Sequence, residues 1–194
     1  MNLPNKLTII RLIIIPFFLI LMVVPFTLGS VTFLGATVPV TQVIATVLFI
    51  AATITDNLDG RIARRDHLVT NFGKFTDPLA DKLLVMTAFI VLTANHAVPA
   101  WVTCIIIWRE LSVTGLRLLI VEQNGQVLAA KMPGKIKTTT QFIAIIFLLL
   151  HNAIFAIWQI PFGEIMLYIC LFFTVYSGAD YFIQGRGVFA DGFK

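Results

Sequence analysis

The sequence predicts an all-α integral membrane protein of six transmembrane helices with both termini in the cytoplasm, and three observations carry that expectation. Hydrophobic residues make up 58% of the chain and charged residues 12%, whereas a soluble domain has roughly 45–50% and about 25%. Long stretches carry no formal charge at all. Lys and Arg, finally, gather on alternate connections between those stretches. With 14 Lys+Arg and 10 Asp+Glu in 194 residues, the chain cannot clothe a soluble globule in polar surface. Disorder, a coiled coil and a disulfide scaffold are excluded by the same composition, since Cys104 and Cys170 both lie inside apolar runs. The length suits a single domain over residues 1–194.

Each span follows from the need for about 20 apolar residues to cross roughly 30 Å of hydrocarbon. No residue from Leu12 to Thr55 is charged, too long a run for one span, and Gly29-Ser30, Gly35 and Pro39 mark a turn within it. This predicts spans near 7–28 and 38–57. Residues 83–108 are also uncharged and break between Asn95 and Pro99, which predicts helices near 76–96 and 99–121. The last two are expected near 137–158 and 161–184, parted at Gln159-Ile160-Pro161. The first span resembles a secretory signal in hydrophobicity, but no small-x-small cleavage site follows it, so it is kept as a span.

The basic residues order these spans across the membrane. On one side fall Lys6 and Arg11, then Arg61, Arg64, Arg65, Lys74 and Lys82, then Arg117, Lys131, Lys135 and Lys137, and last Arg186 and Lys194. The opposite connections, near 29–37, 94–99 and 158–163, have neither Lys nor Arg. An even number of spans with both ends cytoplasmic is the consequence. Polar chemistry is then expected in the cytoplasmic loops at 60–75 and 122–136.

Asp56 to Asp81 is the stretch richest in chemistry. Asp56 and Asp59 are spaced i,i+3 and Asp77 and Asp81 i,i+4, so each pair shares a helix face with Cβ atoms about 5–6 Å apart. The short link makes their helices antiparallel neighbours, and four carboxylates can converge at the cytoplasmic end of the hairpin. Carboxylates so close repel one another and are costly to desolvate at a membrane edge, so they require a cation. Ligation through oxygen fits a hard divalent ion, Mg²⁺ or Mn²⁺. Two such ions about 4 Å apart can hold a diphosphate and stabilise charge on a phosphorus under attack. Gly60, Ala63 and Gly73 are small where the helices approach and leave room for a nucleotide, while Arg64 can meet a phosphate. A plainer reading makes Asp56 and Asp59 helix-end charges paired with Arg61 and Arg64.

The pattern D-x2-D-G-x2-A-R-x8-G-x3-D-x3-D is met at every fixed position, and it resembles the signature of the CDP-alcohol phosphotransferase family. That resemblance implies six transmembrane helices, a binuclear metal site, a pocket open to the cytoplasm and a homodimer, with CMP as leaving group. It makes Asp56, Asp59, Asp77 and Asp81 the metal ligands and Asp81 also the general base. It further implies contacts to CDP-diacylglycerol from Asn5, Thr8, Gly60, Ala63, Arg64, Gly73 and Thr76, although helix capping explains Asn5 and Thr8 equally well.

The acceptor alcohol is narrowed by charge. Arg109 and Arg117 lie eight residues apart, about 80° around a helix axis, and can face one pocket beside Glu110. Adjacent residues diverge by about 100°, so a tight Arg109–Glu110 pair is not expected. Lys135 and Lys137 enter the next helix on the same membrane side, where plain membrane anchoring is the alternative role. Four cations suit an anionic acceptor. The segments Asn2 to Arg11, Arg109-Glu110-Leu111 with Gly115-Leu116-Arg117, and Gly134 to Thr139 resemble the branch of the family whose acceptor is glycerol 3-phosphate. Transfer of the phosphatidyl group to glycerol 3-phosphate is then implied, its phosphate held by Arg109, Arg117, Lys135 and Lys137. Two alternatives stay open: a sibling reaction on inositol phosphate or another acceptor, and a divalent-cation transporter, which would instead place carboxylates near mid-membrane on several helices. No nucleic-acid partner is expected. His96 and His151 are read as interfacial or capping residues, and Trp101, Trp108 and Trp158 as membrane-interface or packing residues.

Overall fold

A computed structural model describes the backbone of residues 3–65, 71–122 and 132–185, and the side chains of 8–55, 79–80, 82–120 and 132–185. Six long helices dominate it: α1 (Leu3–Val23), α2 (Val40–Arg65), α3 (Asn71–Ala94), α4 (Ala100–Glu122), α5 (Met132–Leu149) and α6 (Phe162–Gln184). A short antiparallel ribbon, β1 (Ser30–Phe33) and β2 (Ala36–Pro39), joins α1 to α2, and a 3₁₀ turn at Phe155–Trp158 precedes α6. Two compact units result. One contains α1 to α3, the ribbon and Ile146–Pro161, and the other contains Val98–Ile145 and α6.

In the first unit α1 packs on both α2 and α3, which also touch each other. On α2 the buried residues Ala45, Phe49 and Ala52 recur at helical spacing, and small residues on either side of an aromatic let a neighbouring helix approach closely. Phe18 of α1 fills that face, its ring centroid 6.3 Å from that of Phe49 in a tilted pair. Ala80, Leu84, Ala88 and Phe89 form the corresponding buried stripe on α3.

The ribbon is an addition to the all-helical expectation. Leu34 and Gly35 form its two-residue loop, both with positive φ of 46° and 83°, as a hairpin turn matched to right-handed strand twist requires. Ala36 and Val38 point inward and pack on Ala153. The Ile154 amide donates to the Leu34 carbonyl at 3.1 Å. His151 caps the assembly: because a carbonyl can only accept, its Nδ1–H donates to the Thr37 oxygen at 3.0 Å. This docking ends α5 at Leu149 rather than near 158.

Among the described residues α6 is long and apolar enough to cross a membrane, while the apolar parts of α1, α2 and α3 are shorter, at Thr8–Val23, Val40–Thr55 and Lys82–Ala94. The apolar run of α2 stops where Asp56 begins the carboxylate stretch, and α4 carries Arg109, Glu110 and Arg117 in its body. Both cysteines are free, Cys104 exposed and Cys170 buried.

Candidate active site

The aspartate pattern lies where two helices of the first unit meet their connection. Asp56, Asp59, Gly60, Ala63 and Arg64 are on the last turns of α2, and Gly73, Thr76, Asp77 and Asp81 are on the first turns of α3. Both segments are helical in backbone, so the i,i+3 and i,i+4 spacings set each aspartate pair on one helix face. The side chains of these nine residues, and that of Asn5 on α1, lie outside the described residues. Among the described side chains no group of three or more His, Cys, Asp or Glu could hold a metal.

On α1, Thr8 and Arg11 are buried, at 0% and 1% exposure. They are three residues apart and so share a face, and α1 packs on the two helices that carry the aspartates. Thr8 was expected at the site. Arg11 was not singled out as a site residue, although a guanidinium so fully buried is costly without anionic company. The available signal was its position: a lone Arg entering a long apolar run.

The second unit assembles the basic residues. Glu110 of α4 accepts from Lys137 Nζ of α5 and sits 3.4 Å from Arg109 Nη1. The neighbouring Arg109 is the looser partner, as the divergence of adjacent helical residues requires. Arg109 Nη2 donates to Ser177 Oγ at 2.7 Å, and Arg117 Nη2 donates to the Tyr181 hydroxyl, both acceptors on α6. The Tyr181 ring lies beneath both cations, with its centroid 4.8 Å from Arg117 Cζ and 5.9 Å from Arg109 Cζ, a favourable arrangement for a ring quadrupole. The structure thus brings Arg109, Arg117 and Lys137 into one cluster. Lys135 is set apart: it is exposed where Lys137 is 5% exposed, because residues two apart on a helix point about 200° from each other.

This cluster has donors to spare. Nε of Arg109 and of Arg117 and the Gln141 amide nitrogen are buried with no hydrogen-bond partner among the described residues, and buried donors normally have one. Gln141 lies one turn beyond Lys137, on the same face of α5. Three convergent cations with unspent N–H groups suit a phosphate. The sequence reading missed Ser177 and Tyr181. Their signal was a buried strip on an otherwise apolar helix, Thr174, Ser177, Gly178 and Tyr181 at helical spacing.

Comparison with known proteins gives these features a context. A family model described as CDP-alcohol phosphatidyltransferase matches residues 1–176. Over 181 residues the chain is 50% identical to the CDP-diacylglycerol–glycerol-3-phosphate 3-phosphatidyltransferase of Bacillus subtilis, covering 93% of each protein. Proteins of the same name from Rickettsia typhi and Salmonella paratyphi A are 38% and 34% identical, covering 93% and 98% of this chain and 95% and 98% of their own lengths. The match runs through the aspartate helices and the basic cluster alike. The chain belongs to the CDP-alcohol phosphatidyltransferase family.

Proposed function

We propose that this chain is a multi-pass enzyme of the cell membrane that transfers a phosphatidyl group from CDP-diacylglycerol to glycerol 3-phosphate, giving phosphatidylglycerophosphate and CMP. The observation that carries the reading is the 50% identity with the Bacillus subtilis enzyme over 93% of both chains, with the aspartate pattern met at every fixed position. The gathering of Arg109, Arg117 and Lys137 around Glu110 and Tyr181 supports an acceptor that is itself a phosphate.

In this reading residues 1–194 act as one catalytic domain of six spans, cytoplasmic at both ends and paired as a homodimer. The acyl chains of CDP-diacylglycerol lie in the bilayer, and Asn5, Thr8, Gly60, Ala63, Arg64, Gly73 and Thr76 contact its nucleotide and diphosphate. Four carboxylates on two touching helices form an all-oxygen donor set, which fits hard divalent ions; Asp56, Asp59, Asp77 and Asp81 would hold them. Bound there, two Mg²⁺ (or Mn²⁺) ions would supply positive charge against the diphosphate and the leaving CMP. Arg109, Arg117 and Lys137 bind the acceptor phosphate and orient the free hydroxyl of glycerol 3-phosphate, while Lys135, exposed on another face of α5, stays outside that contact. Asp81 takes the proton from that hydroxyl. Its oxygen bonds to the lipid-bearing phosphorus, and the phosphorus–oxygen bond to CMP breaks.

Release of CMP by the purified protein tests this directly, with CDP-diacylglycerol and a panel of glycerol 3-phosphate, inositol phosphate, serine and glycerol. Glycerol 3-phosphate is expected to be the productive acceptor, and faster release with another member would overturn the assignment. Asp81→Asn is expected to lower turnover by about 10²-fold or more while the protein stays folded. Full turnover after chelation with EDTA would remove the metal from the scheme.

A further inference from the structure

Three features of α6 converge on the arginines of α4. Ser177 Oγ accepts from Arg109 at 2.7 Å and Tyr181 accepts from Arg117. Between them Gly178 leaves a gap that the stem of Arg109 fills: a Cβ at that position would stand 3.1 Å from Arg109 Cγ. Ser177 and Tyr181 are themselves buried, at 3% and 6% exposure. An arginine side chain has about 2 kcal/mol of rotamer entropy to lose. A hydroxyl acceptor, a ring face and a close-fitting wall together remove that freedom before any ligand arrives, which is how preorganisation raises affinity. These residues lie just after the stretch that the family model matches, which ends at residue 176.

We propose that Ser177, Gly178 and Tyr181 are positioning residues that set the affinity for the anionic acceptor by holding Arg109 and Arg117 ready for its phosphate. The proposal rests on the acceptor reading above and deepens it. In this role none of the three takes part in proton transfer or in holding CDP-diacylglycerol. Their effect belongs on the acceptor KM.

The test is steady-state CMP release by the full-length protein, varying one substrate at a time, together with the thermal midpoint of each variant. Ser177→Ala, Gly178→Ala and Tyr181→Phe are expected to raise the acceptor KM on the order of three- to tenfold, the range for losing the net contribution of one ordinary hydrogen bond or a contact of similar size. The KM for CDP-diacylglycerol should stay within about twofold of wild type, and kcat should fall by less than the acceptor KM rises. Tyr181→Leu removes the ring face as well as the hydroxyl and should exceed Tyr181→Phe. An unchanged acceptor KM with lower kcat or lower thermal midpoint, or equal rises in both KM values, would overturn the proposal by reducing these residues to structural ones. Should wild type prefer another phosphorylated acceptor, the assignment of glycerol 3-phosphate fails while the same KM split, read with that acceptor, still decides the present proposal. Activity confined to an uncharged acceptor would sink both.

Discussion

Glu110 is the pivot of the basic cluster, accepting from Lys137 and lying near Arg109 with only 12% of its side chain exposed. Removing one partner of a largely buried pair leaves an uncompensated charge, at a cost of about 3–5 kcal/mol, whereas replacing both with apolar groups is often close to neutral. Glu110→Leu and Lys137→Met are therefore each expected to lower the thermal midpoint. The double variant should recover much of the loss, with a coupling of about 1–3 kcal/mol in a double-mutant cycle. Activity should not recover with it, because Lys137 is also read as a ligand of the acceptor phosphate. Stability and CMP release measured on the same four proteins separate the two roles, and activity returning with stability would remove Lys137 from the site. Lys135 offers the comparison. It is exposed, and Lys135→Ala is expected to change stability by less than about 0.5 kcal/mol. The sequence pattern treats the two lysines alike, and only the helical phase of α5 distinguishes them.

Among the elements, the β1–β2 ribbon shows what hydrophobic pattern alone leaves out. Gly29-Ser30, Gly35 and Pro39 marked a turn correctly, but the strands depend on residues more than a hundred positions away, where the Ile154 amide meets the Leu34 carbonyl. Such non-local pairing leaves no local period to read. The same contact explains why α5 stops early. Residues 150–158 are as apolar as the helix before them, yet His151, Asn152 and Ile154 take positive φ values of 50°, 57° and 79° as the chain turns to meet the ribbon. The six helices, by contrast, were legible because each needs only its own apolar length and its own breaks. Gly35 is the joint between ribbon and turn: its φ is +83°, and a Cβ there would stand 2.9 Å from the Ile157 backbone nitrogen. Gly29 has a similar φ of +76° with open space around it. Gly35→Ala is therefore expected to cost about 2–3 kcal/mol, and Gly29→Ala about 1 kcal/mol, the conformational penalty alone. Thermal unfolding in detergent checks the difference. Equal losses would show that the Ile157 contact contributes nothing to stability.

At the scale of the whole molecule the question is how the chain lies across the bilayer, and the charges make a definite statement about it. Sequence reading located the aspartate pattern and the basic residues because both are rare in so apolar a chain. It could not locate Ser177 or Tyr181, whose side chains resemble ordinary membrane-helix residues until α4 and α6 are packed together. Orientation rests on the Lys and Arg asymmetry alone, each misplaced cation costing about 2.5–3.5 kcal/mol at a helix centre. Two sites on opposite sides test it. Asn95, in the connection between α3 and α4, is exposed, and Lys131 lies in the connection before α5, outside the described residues. In a background with Cys104→Ser and Cys170→Ala, a single cysteine placed by Asn95→Cys is expected to react with a membrane-impermeant maleimide in intact cells. One placed by Lys131→Cys should react only after permeabilisation. The opposite pattern would invert the topology and put the aspartate helices outside the compartment that holds glycerol 3-phosphate, defeating the proposed reaction. Labelling of both sites in intact cells would mean an even number of crossings between them, so that α4 does not span the bilayer. The expected pattern instead needs an odd number, which α4 alone supplies, so the deciding observation is protection of Lys131→Cys: it requires α4 to cross despite Arg109, Glu110 and Arg117. The structure shows how that is possible, since those three charges turn toward Lys137, Ser177 and Tyr181 and leave Trp108, Leu111 and Leu118 exposed for lipid.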